Sequence, residues 1–498
     1  MEQTTFGVIA IVPPVLAISM AIATRQVTVS LLGGIWIGWV IHAGGNPLQG
    51  TAQAISAMIE VFADPGQTQV IVFTLLMGSL LILMQRGGGI DGFLNWVSQW
   101  KWSRTRRGAQ LMASVIGLGV FIESNITCLV VGTVSRPLFD KLKISREKLA
   151  YICDSTSAPV CILLPINAWG ATVLGLLSTQ AALGNLGDQS PLSIFMAAVP
   201  LNFYAVLAVI LVFVVSITNW HIGPMKVAER RALEEGKVLA DDARPVVADE
   251  VIMIPRKETV APRLGNMLIP LFGMVVMVFA GIGITGSIGA REANILDPGL
   301  FDIMNQGSGS TAVMWGVLLG LALMVLLSVL QKAFSMQEFV DLAFKGAGGI
   351  LPLAVLMVLA FALGDVCQAL GTGPWVAASV RPFLTPVLVA PLVFLVSAFI
   401  AFSTGTSWGT FAIMITLAVP LVSLFNSESV VVSLPLVVSA VLGGGVFGDH
   451  CSPISDTSVV SSMASASDHI DHVRTQLPYA LVAGAGALML YFIAGALL

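Results

Sequence analysis

Charged residues are scarce in this sequence. Asp, Glu, Lys and Arg make up 10% of the 498 residues, whereas a soluble domain carries roughly 25%. Hydrophobic residues make up 56%, and the mean hydropathy is +0.90. A stretch of about 20 apolar residues spans a bilayer, and the chain has many such stretches. The composition therefore excludes an ordinary soluble protein and predicts an all-α, polytopic membrane protein surrounded by lipid.

Cysteines and cofactor motifs are also few or missing. The five cysteines lie in or beside apolar stretches, which favours small buried side chains over disulfides or metal ligands. The glycine-rich segments "GAGG" and "GTGPW" lack the strand–turn–helix context of a nucleotide site, so we expect no organic cofactor. Nucleic acid is not expected as a partner either. The first residues, "MEQTTFG", lack the features of a signal peptide, and the first span is expected to be retained.

The basic residues that do occur are clustered, and the excess of Lys and Arg on the cytoplasmic side of membranes predicts the topology. Arg25 and the segment from Arg86 to Arg107 are assigned to the inside, whereas residues 43–68 contain no Lys or Arg and are assigned to the outside. Residues 221–266 carry many charges without apolar periodicity, which predicts a cytoplasmic linker rather than a domain. Both termini are then outside, in a bacterial cytoplasmic (inner) membrane.

Two apolar segments begin and end on the same predicted side of the membrane. Each half of residues 108–140 reaches only about 24 Å at 1.5 Å per residue, less than the ~30 Å hydrocarbon core. This length predicts a re-entrant hairpin near 108–140, and a similar segment predicts a second one near 385–425. Two other spans, 149–178 and 430–466, are predicted to be broken helices, because "DSTSAP" and "GDHCSPISDTS" interrupt them.

A polar pattern recurs in the two halves of the chain. Because the halves have opposite predicted orientations, the recurrence predicts two inverted-topology repeats, residues 1–220 and 267–498, joined by the linker. About ten transmembrane helices, two re-entrant hairpins and two broken helices are expected in total. The aligned pairs are Ser124 with Ser407, Thr127 with Thr410, Asp154 with Asp449, and Ser157 with Ser452.

Acidic and hydroxyl side chains are concentrated at the two hairpin tips and the two broken spans. An intramembrane charge costs ~2.5–3.5 kcal/mol, so such acids usually have a function. No Lys or Arg lies near the centre of a span, and the missing counter-charge must be a bound cation, a proton, or both. Carboxylate and hydroxyl oxygens suit Na⁺ or H⁺ and suit Zn²⁺ poorly.

The candidate site residues fall into three sets. Those predicted to bind a cation are Asp154, Thr156, Ser157, Asp449, Ser452, Ser455, Asp456 and Thr457. Those at the hairpin tips, predicted to contact an ion or a substrate, are Glu123, Ser124, Asn125, Thr127, Thr406, Ser407, Trp408 and Thr410. Candidates for proton handling are His450 and Asp365.

Several of these residues have structural alternatives. Single hydroxyls in helices commonly bond the carbonyl four residues earlier. His450 has an alternative role as a helix cap, Trp408 as a packing residue, and Asp365 as an exposed acid at a helix end. His469 and His472 resemble a metal-binding face, but a cytoplasmic turn with Asp468 as N-cap is favoured.

The C-terminal segment "FGDHCSPISDTSVVSSMASASDHIDHVRTQLPY" resembles the signature of the NhaC-type sodium/proton antiporter family. The segments "ESNIT", "DSTSAP" and "ALGDVCQALGTGPW" also resemble motifs of that family, and the resemblance covers most of the chain. It implies an ion-transporter-superfamily fold with hairpins and unwound helices that works as an elevator. The family includes members thought to exchange organic acids, such as malate for lactate, so the resemblance does not settle the substrate.

The resulting hypothesis is a secondary Na⁺/H⁺ antiporter, with both ions competing for the buried carboxylates of Asp449, Asp456 and the Asp154 segment. A Na⁺-coupled transporter or exchanger of a small organic acid or amine on the same fold is the alternative. A remote third hypothesis is an intramembrane aspartyl protease with Asp154 and Asp449 as its dyad. A homodimer is left open.

Overall fold

The computed structural model describes residues 6–24, 26–99, 104–121, 123–165, 167–245, 259–292, 306–372, 385–427, 432–453 and 455–497, with a few single positions between them. In these residues the regular structure is helical, apart from one isolated bridge between Pro245 and Asp468. The side chain of Asp456 and the predicted inside residue Arg25 lie outside the described part.

The α-helices are labelled in chain order. They are α1 (Val12–Thr24), α2 (Val27–His42), α3 (Pro47–Glu60), α4 (Pro65–Arg86), α5 (Gly89–Ser98), α6 (Arg106–Gly119), α7 (Ser124–Lys141), α8 (Arg146–Ser155), α9 (Ala158–Cys161), α10 (Ala168–Ala182), α11 (Pro191–Ala198), α12 (Phe203–Thr218), α13 (Pro224–Glu234), α14 (Gly265–Glu292), α15 (Gly309–Leu330), α16 (Met336–Gly349), α17 (Leu351–Ala369), α18 (Pro386–Thr404), α19 (Ser407–Ser427), α20 (Leu434–Cys451), α21 (Asp456–Ser465) and α22 (His469–Leu497).

Many of these helices are long and apolar enough to cross a bilayer. In the described residues, seven stretches meet that standard: Pro65–Arg86, Pro191–Thr218, Gly265–Glu292, Gly309–Leu330, Pro386–Thr404, Leu434–Cys451 and His469–Leu497. Shorter apolar helices occur at Gly7–Met20, Thr28–His42, Met357–Ala369 and Ser407–Ser423. The predicted class, an all-α polytopic membrane protein, is confirmed.

Both segments predicted as hairpins are pairs of packed helices. α6 and α7 are joined by the short turn at residues 120–123, and α18 and α19 are joined by Gly405 and Thr406. Gly405 adopts a φ of +70°, which glycine tolerates without steric cost and which reverses the chain within two residues. Re-entry of these pairs into the membrane stays a prediction, as do the proposed repeats.

Both predicted helix breaks are present. α8 ends at Ser155, a four-residue helix α9 follows at Ala158, and α10 begins only at Ala168. The second break, residues 452–455, is shorter than the polar segment suggested, because α20 continues through Cys451 before α21 begins. Pro159 and Pro453 lie at these interruptions, where the lack of a backbone N–H on proline does not break a hydrogen bond within a long helix.

The packing of α18, α20, α21 and α22 brings both breaks and the second hairpin tip together. α20 lies directly against α18, because a Cβ on Gly448 would overlap with the carbonyl oxygen of Ala398, and one on Gly444 with that of Phe394. α21 packs against α7 and α8, and α22 packs against α8, α12, α18 and α20. A second group of helices, α4 with α14 to α17, is connected to this one partly through α10.

The predicted linker contains a docked helix, α13. Met225, Ala228 and Ala232 are buried at helical spacing, so the expected absence of apolar periodicity is wrong. Three buried apolar side chains suffice because α8 and α22 supply the rest of the apolar surface. Arg231 of α13 also donates to Glu147 of α8 at 2.6 Å. The boundaries of the linker stay a prediction.

Glu229 is the main polar anchor of α13. It is 3% exposed, lies 2.7 Å from Arg106 and 3.9 Å from the fully buried Lys148, and accepts the backbone N–H of Ser145 at 2.8 Å. Burial and the adjacent Lys148 lower the pKa of His221 to about 4, against the opposing effect of Glu229. At neutral pH the positive partners of Glu229 are therefore Arg106 and Lys148.

We expect Glu229→Gln to destabilise the protein. Removing one partner of a buried ion pair costs roughly 3–5 kcal/mol, because the remaining charges lose their compensation. The measurement is the temperature of half-aggregation in detergent, which should fall by several degrees. Glu235→Gln is the control, because Glu235 pairs with Lys237 at an exposed position and such pairs contribute little. Equal shifts in the two variants would contradict this role of Glu229.

Candidate cation site at the helix breaks

Asp154, the next-to-last residue of α8, is fully buried. Its Oδ2 accepts hydrogen bonds from Ser458 Oγ of α21 at 2.8 Å and from Gln476 Nε2 of α22 at 2.6 Å. Its Oδ1 has no hydrogen-bond partner in the described part of the chain. The carboxylate at the first break is therefore held by the helix that follows the second break and by the last helix.

Two imidazoles also lie beside this carboxylate. Nε2 of His472 is 3.7 Å from Asp154 Oδ2, and Nε2 of His450 is 3.9 Å from the same atom. His450 further contacts Tyr204 through Nδ1 at 2.7 Å and Ser155 through Nε2 at 3.1 Å. Among the described residues, no Lys or Arg lies within ion-pair distance of Asp154. The basic side chains beside Asp154 in the described part of the chain are thus the two imidazoles.

Asp449 belongs to a different set of contacts. It is 2% exposed, and its Oδ2 accepts a hydrogen bond from Ser407 Oγ at 2.8 Å. Ser407 is the first residue of α19, so the second hairpin tip touches the end of α20. Ser452 adds a second link, because its Oγ donates to the carbonyl oxygen of Phe402 in α18 at 2.7 Å. The structure thus brings together Asp449, Ser407 and the second break.

The other hydroxyls predicted to bind a cation make local bonds. Thr156 Oγ1 donates to the carbonyl oxygen of Ile152 at 2.7 Å, and Ser157 Oγ to that of Asp154 at 2.7 Å. Ser455 caps α21 by accepting the backbone N–H of Ser458 at 3.4 Å, and its Oγ lies 3.0 Å from Thr457 Oγ1. These side chains satisfy the ends of the broken helices.

The first hairpin tip is held by its own backbone and by the segment before α10. Ser124 Oγ donates to Glu123 Oε1 at 3.2 Å, and Thr127 Oγ1 donates to the carbonyl oxygen of Glu123 at 2.9 Å. Asn167 Nδ2 donates to the carbonyl oxygen of Phe121 at 3.0 Å and fixes the turn. Asn125 Oδ1 is buried without a hydrogen bond from any described group.

The second tip has an aromatic side. Trp408 of α19 packs against Trp169 of α10 with ring centroids 4.3 Å apart and ring planes tilted by 44°, and the ring of Phe411 lies 6.0 Å from that of Trp169. Trp169 is 1% exposed, and no described group accepts a hydrogen bond from its Nε1. Thr410 bonds the carbonyl oxygen of Thr406 at 3.0 Å, which is a local helix contact.

Asp365 and Asp468 lie elsewhere. Asp365 is on α17, which packs against α2, α3 and α4, and its nearby acids are Glu60 and Asp64. Asp468 is confirmed as the N-cap of α22, because its Oδ1 accepts the backbone N–H groups of Ile470 at 2.9 Å and Asp471 at 3.0 Å. Partial burial raises the pKa of Asp468, but these bonds and a third from the backbone of residue 244 lower it below its usual range.

Sequence reasoning missed Gln476, His472 and Ser458 as partners of Asp154. One signal was available: His472 and Gln476 are four residues apart, so they share a helix face if α22 is already helical there. The polar character of residues 468–474 instead indicated a turn, and the helix was expected to begin later.

These features define a class of protein. Helix breaks inside apolar spans, with buried carboxylates at the breaks, are typical of ion-coupled secondary transporters. The sequence model of the Na⁺/H⁺ antiporter family matches residues 160–496. The chain belongs to this family. Asp449, Asp456 and Ser407 lie within the matched residues, and Asp154 lies just before them.

Three relatives support the membership. An uncharacterised protein of Haemophilus influenzae is 31% identical over 98% of this chain and 90% of its own length. The arginine/ornithine antiporter ArcD of Halobacterium salinarum is 28% identical over 47% of this chain and 42% of its own length. The malate-2H⁺/Na⁺-lactate antiporter of Bacillus subtilis is 31% identical over 25% of this chain and 27% of its own length. The protein is thus a transporter, and the protease hypothesis is set aside.

Two solved structures share the fold. MtrF of Neisseria gonorrhoeae, described as illuminating a class of antimetabolite efflux pumps, has a TM-score of 0.54 at 12% identity, over 89% of this chain and 84% of its own. The YdaH transporter of Alcanivorax borkumensis has a TM-score of 0.54 at 14% identity, over 89% of this chain and 88% of its own. At such low identity the likeness concerns the fold alone.

Proposed function

We propose that this protein is a secondary antiporter that exchanges Na⁺ for H⁺, with Na⁺ as a transported ion. The observation that carries the proposal is the buried carboxylate of Asp154 at a helix break. In the described part of the chain its neighbours are neutral donors and two imidazoles. A buried carboxylate in such surroundings is stabilised by a cation or by a proton.

The two ions are assigned to neighbouring carboxylates. Asp449 holds Na⁺, because the Ser407 hydroxyl and the carbonyl oxygens at the end of α20 lie beside it and oxygen ligands suit Na⁺. Asp456, whose side chain lies outside the described part, is assigned to the same ion on the sequence prediction alone. Asp154 takes the proton, because its Oδ2 already accepts two hydrogen bonds and its Oδ1 can be protonated. A bound Na⁺ and a proton are both positive, and they repel each other when they lie close together at low dielectric. Na⁺ binding at one carboxylate and protonation of the other therefore oppose each other.

Alternating access is assigned to movement between the two helix groups. The group that carries both breaks and both tips, α6–α9 with α18–α22, is the moving part. The group α4 with α14–α17 is the fixed part. Contacts within each group support this division. It gives the exchange an elevator-type mechanism, in which the carboxylates travel with the helices that hold them.

The function is tested in proteoliposomes with an acidic interior and a trapped pH dye. Addition of external Na⁺ should raise the internal pH, because Na⁺ entry is coupled to H⁺ exit. External K⁺ and protein-free liposomes are the controls, and neither should change the dye signal beyond leakage. Equal responses to Na⁺ and K⁺ would contradict a Na⁺ site, and a Na⁺ response equal to that of empty liposomes would contradict the exchange itself.

A second candidate cargo is a small organic acid or amine exchanged together with the ions. The Trp169–Trp408 pair supports it, because Trp408 directly follows Ser407, the partner of Asp449, and packs against Trp169, whose buried indole N–H has no described acceptor. The activities for which two relatives are named, arginine/ornithine and malate/lactate exchange, belong to this chemical range. A metabolite that raises the melting temperature only in the presence of Na⁺ would favour this cargo. Stabilisation by Na⁺ alone would favour ion exchange.

A further inference from the structure

We propose that His469, Ser462 and His472 form a proton relay between the protein surface and Asp154. The proposal deepens the proposed function and rests on it, since it explains how the proton reaches the buried carboxylate. His469 is half-buried at the start of α22, whereas Ser462 and His472 are fully buried. Ser462 Oγ lies 3.1 Å from His469 Nδ1 and 2.9 Å from His472 Nδ1. His472 Nε2 lies 3.7 Å from Asp154 Oδ2.

The hydrogen-bond partners fix one proton on each imidazole. His469 Nε2 lies 2.7 Å from the carbonyl oxygen of Pro453, which can only accept, so this nitrogen carries a proton. The amide N–H groups of Gln476 point to Asp154 and to a backbone carbonyl oxygen. Its Oε1 therefore faces His472 Nε2, at 2.9 Å, and that nitrogen carries a proton as well.

Neutral imidazoles then leave too few protons at Ser462. Each ring would present an unprotonated Nδ1 to Ser462 Oγ, which also lies 2.8 Å from the carbonyl oxygen of Ser458. A serine hydroxyl has one proton to donate, so three acceptors share one donor. An extra proton on either imidazole reduces the deficit, because its Nδ1–H then donates to the oxygen of Ser462 and only two acceptors remain for the hydroxyl proton. The cluster can therefore bind one extra proton, either on the imidazole of His469 or on that of His472.

The transfer can be written with all protons balanced. The Nδ1–H bond of protonated His469 breaks and a proton passes to Ser462 Oγ, while the original hydroxyl proton passes to Nδ1 of His472. Protonated His472 then gives its Nε2 proton to Asp154, which becomes a neutral carboxylic acid. A small side-chain movement closes the 3.7 Å separation. His472 is left as the neutral Nδ1–H tautomer, and the reverse transfer, in which Asp154 returns a proton to Nε2 while the Nδ1 proton leaves through Ser462, restores the starting arrangement.

The two ends of the relay have suitable surroundings. At the outer end, Pro453 is exposed and the carboxylate of Asp468 lies near His469. At the inner end, Asp154 of α8 and His450 of α20 face His472. The end of α22 at which the relay opens is the one that the basic residues place in the cytoplasm.

The test compares two fluxes in proteoliposomes that contain His472→Gln. Proton-coupled Na⁺ uptake should fall by about tenfold or more, whereas exchange of labelled Na⁺ for unlabelled Na⁺ should stay unchanged, because it moves no proton. Ser462→Ala should show the same split. Ser465→Ala is the matched control, because Ser465 is also buried on α21 but bonds only its own helix backbone.

A diffusible proton carrier distinguishes a loss of proton transfer from a structural effect of the mutation. Imidazole buffer supplied on the side of His469 should restore proton-coupled uptake in His469→Gln. Equal loss of both fluxes without rescue would overturn the relay and leave a structural role for these residues. Unchanged proton-coupled uptake in His472→Gln would also overturn it. Both results require that the wild type exchanges Na⁺ for H⁺. If the proposed function is wrong, the wild type itself shows no Na⁺/H⁺ exchange, and this outcome is distinct from a failure of the relay.

Discussion

Asp154→Asn is expected to abolish proton-coupled Na⁺ transport while leaving Na⁺/Na⁺ exchange at saturating Na⁺. Asparagine cannot take up the proton, whereas its amide oxygen can replace Oδ2 as the acceptor for Ser458 and Gln476. A side chain that transfers a proton contributes typically about 10²–10⁴-fold in rate. We therefore expect a loss of about 100-fold or more.

The measurement is Na⁺-dependent alkalinisation of acid-loaded proteoliposomes, at matched amounts of protein that elutes as a single species from a sizing column. Asp341→Asn is the control, because Asp341 is an exposed acid on α16, away from the breaks. It should transport like the wild type. Transport by Asp154→Asn at a wild-type rate would show that the proton is carried elsewhere.

Asp449→Asn is expected to remove both proton-coupled transport and Na⁺/Na⁺ exchange. The charge of Asp449 is the attraction for Na⁺, and it lies at the meeting point of α20 and the second hairpin tip. Without it, stabilisation of the protein by Na⁺ in a thermal-shift experiment should disappear, since a ligand stabilises only the state that binds it. The contrast with Asp154→Asn, which keeps Na⁺/Na⁺ exchange, distinguishes the two carboxylates.

Ser407→Ala is expected to have a weaker effect at the same site than Asp449→Asn. The mutation removes the hydrogen bond of 2.8 Å to Asp449, together with the 3.2 Å contact of the same hydroxyl with the carbonyl oxygen of Gly445, and leaves the charge in place. We expect the half-saturating Na⁺ concentration to rise about tenfold, because one bond to a charged group is worth roughly 1.5–3 kcal/mol. Full Na⁺ binding by Asp449→Asn, measured by the Na⁺-dependent thermal shift, would exclude Asp449 from the cation site.

Much of the site's location could be predicted from the chain. Asp154 and Asp449 were recognisable because each follows an apolar stretch, and Ser407 because it directly follows a glycine-containing turn. The interruptions could be found because Pro159 and Pro453 cannot donate a helix hydrogen bond. Such local signals depend only on neighbours in the sequence.

The partners of these residues could not be predicted in the same way. Gln476, Ser458 and His472 reach Asp154 from two helices that begin about 300 residues later in the chain, a separation at which no local pattern applies. α13 was missed because its three buried apolar residues form a contact surface only against other helices.

The sequence by itself determined that this protein lies in a membrane, that its helices are interrupted at two polar segments, and that acids without basic neighbours lie there. These features follow from composition and from the hydrogen-bonding limits of proline, which act within one segment. Only the tertiary structure decided that Asp154 meets Gln476 and two imidazoles while Asp449 meets Ser407. That division depends on how closely α18, α20, α21 and α22 pack, and packing is a property of surfaces that are distant in the chain.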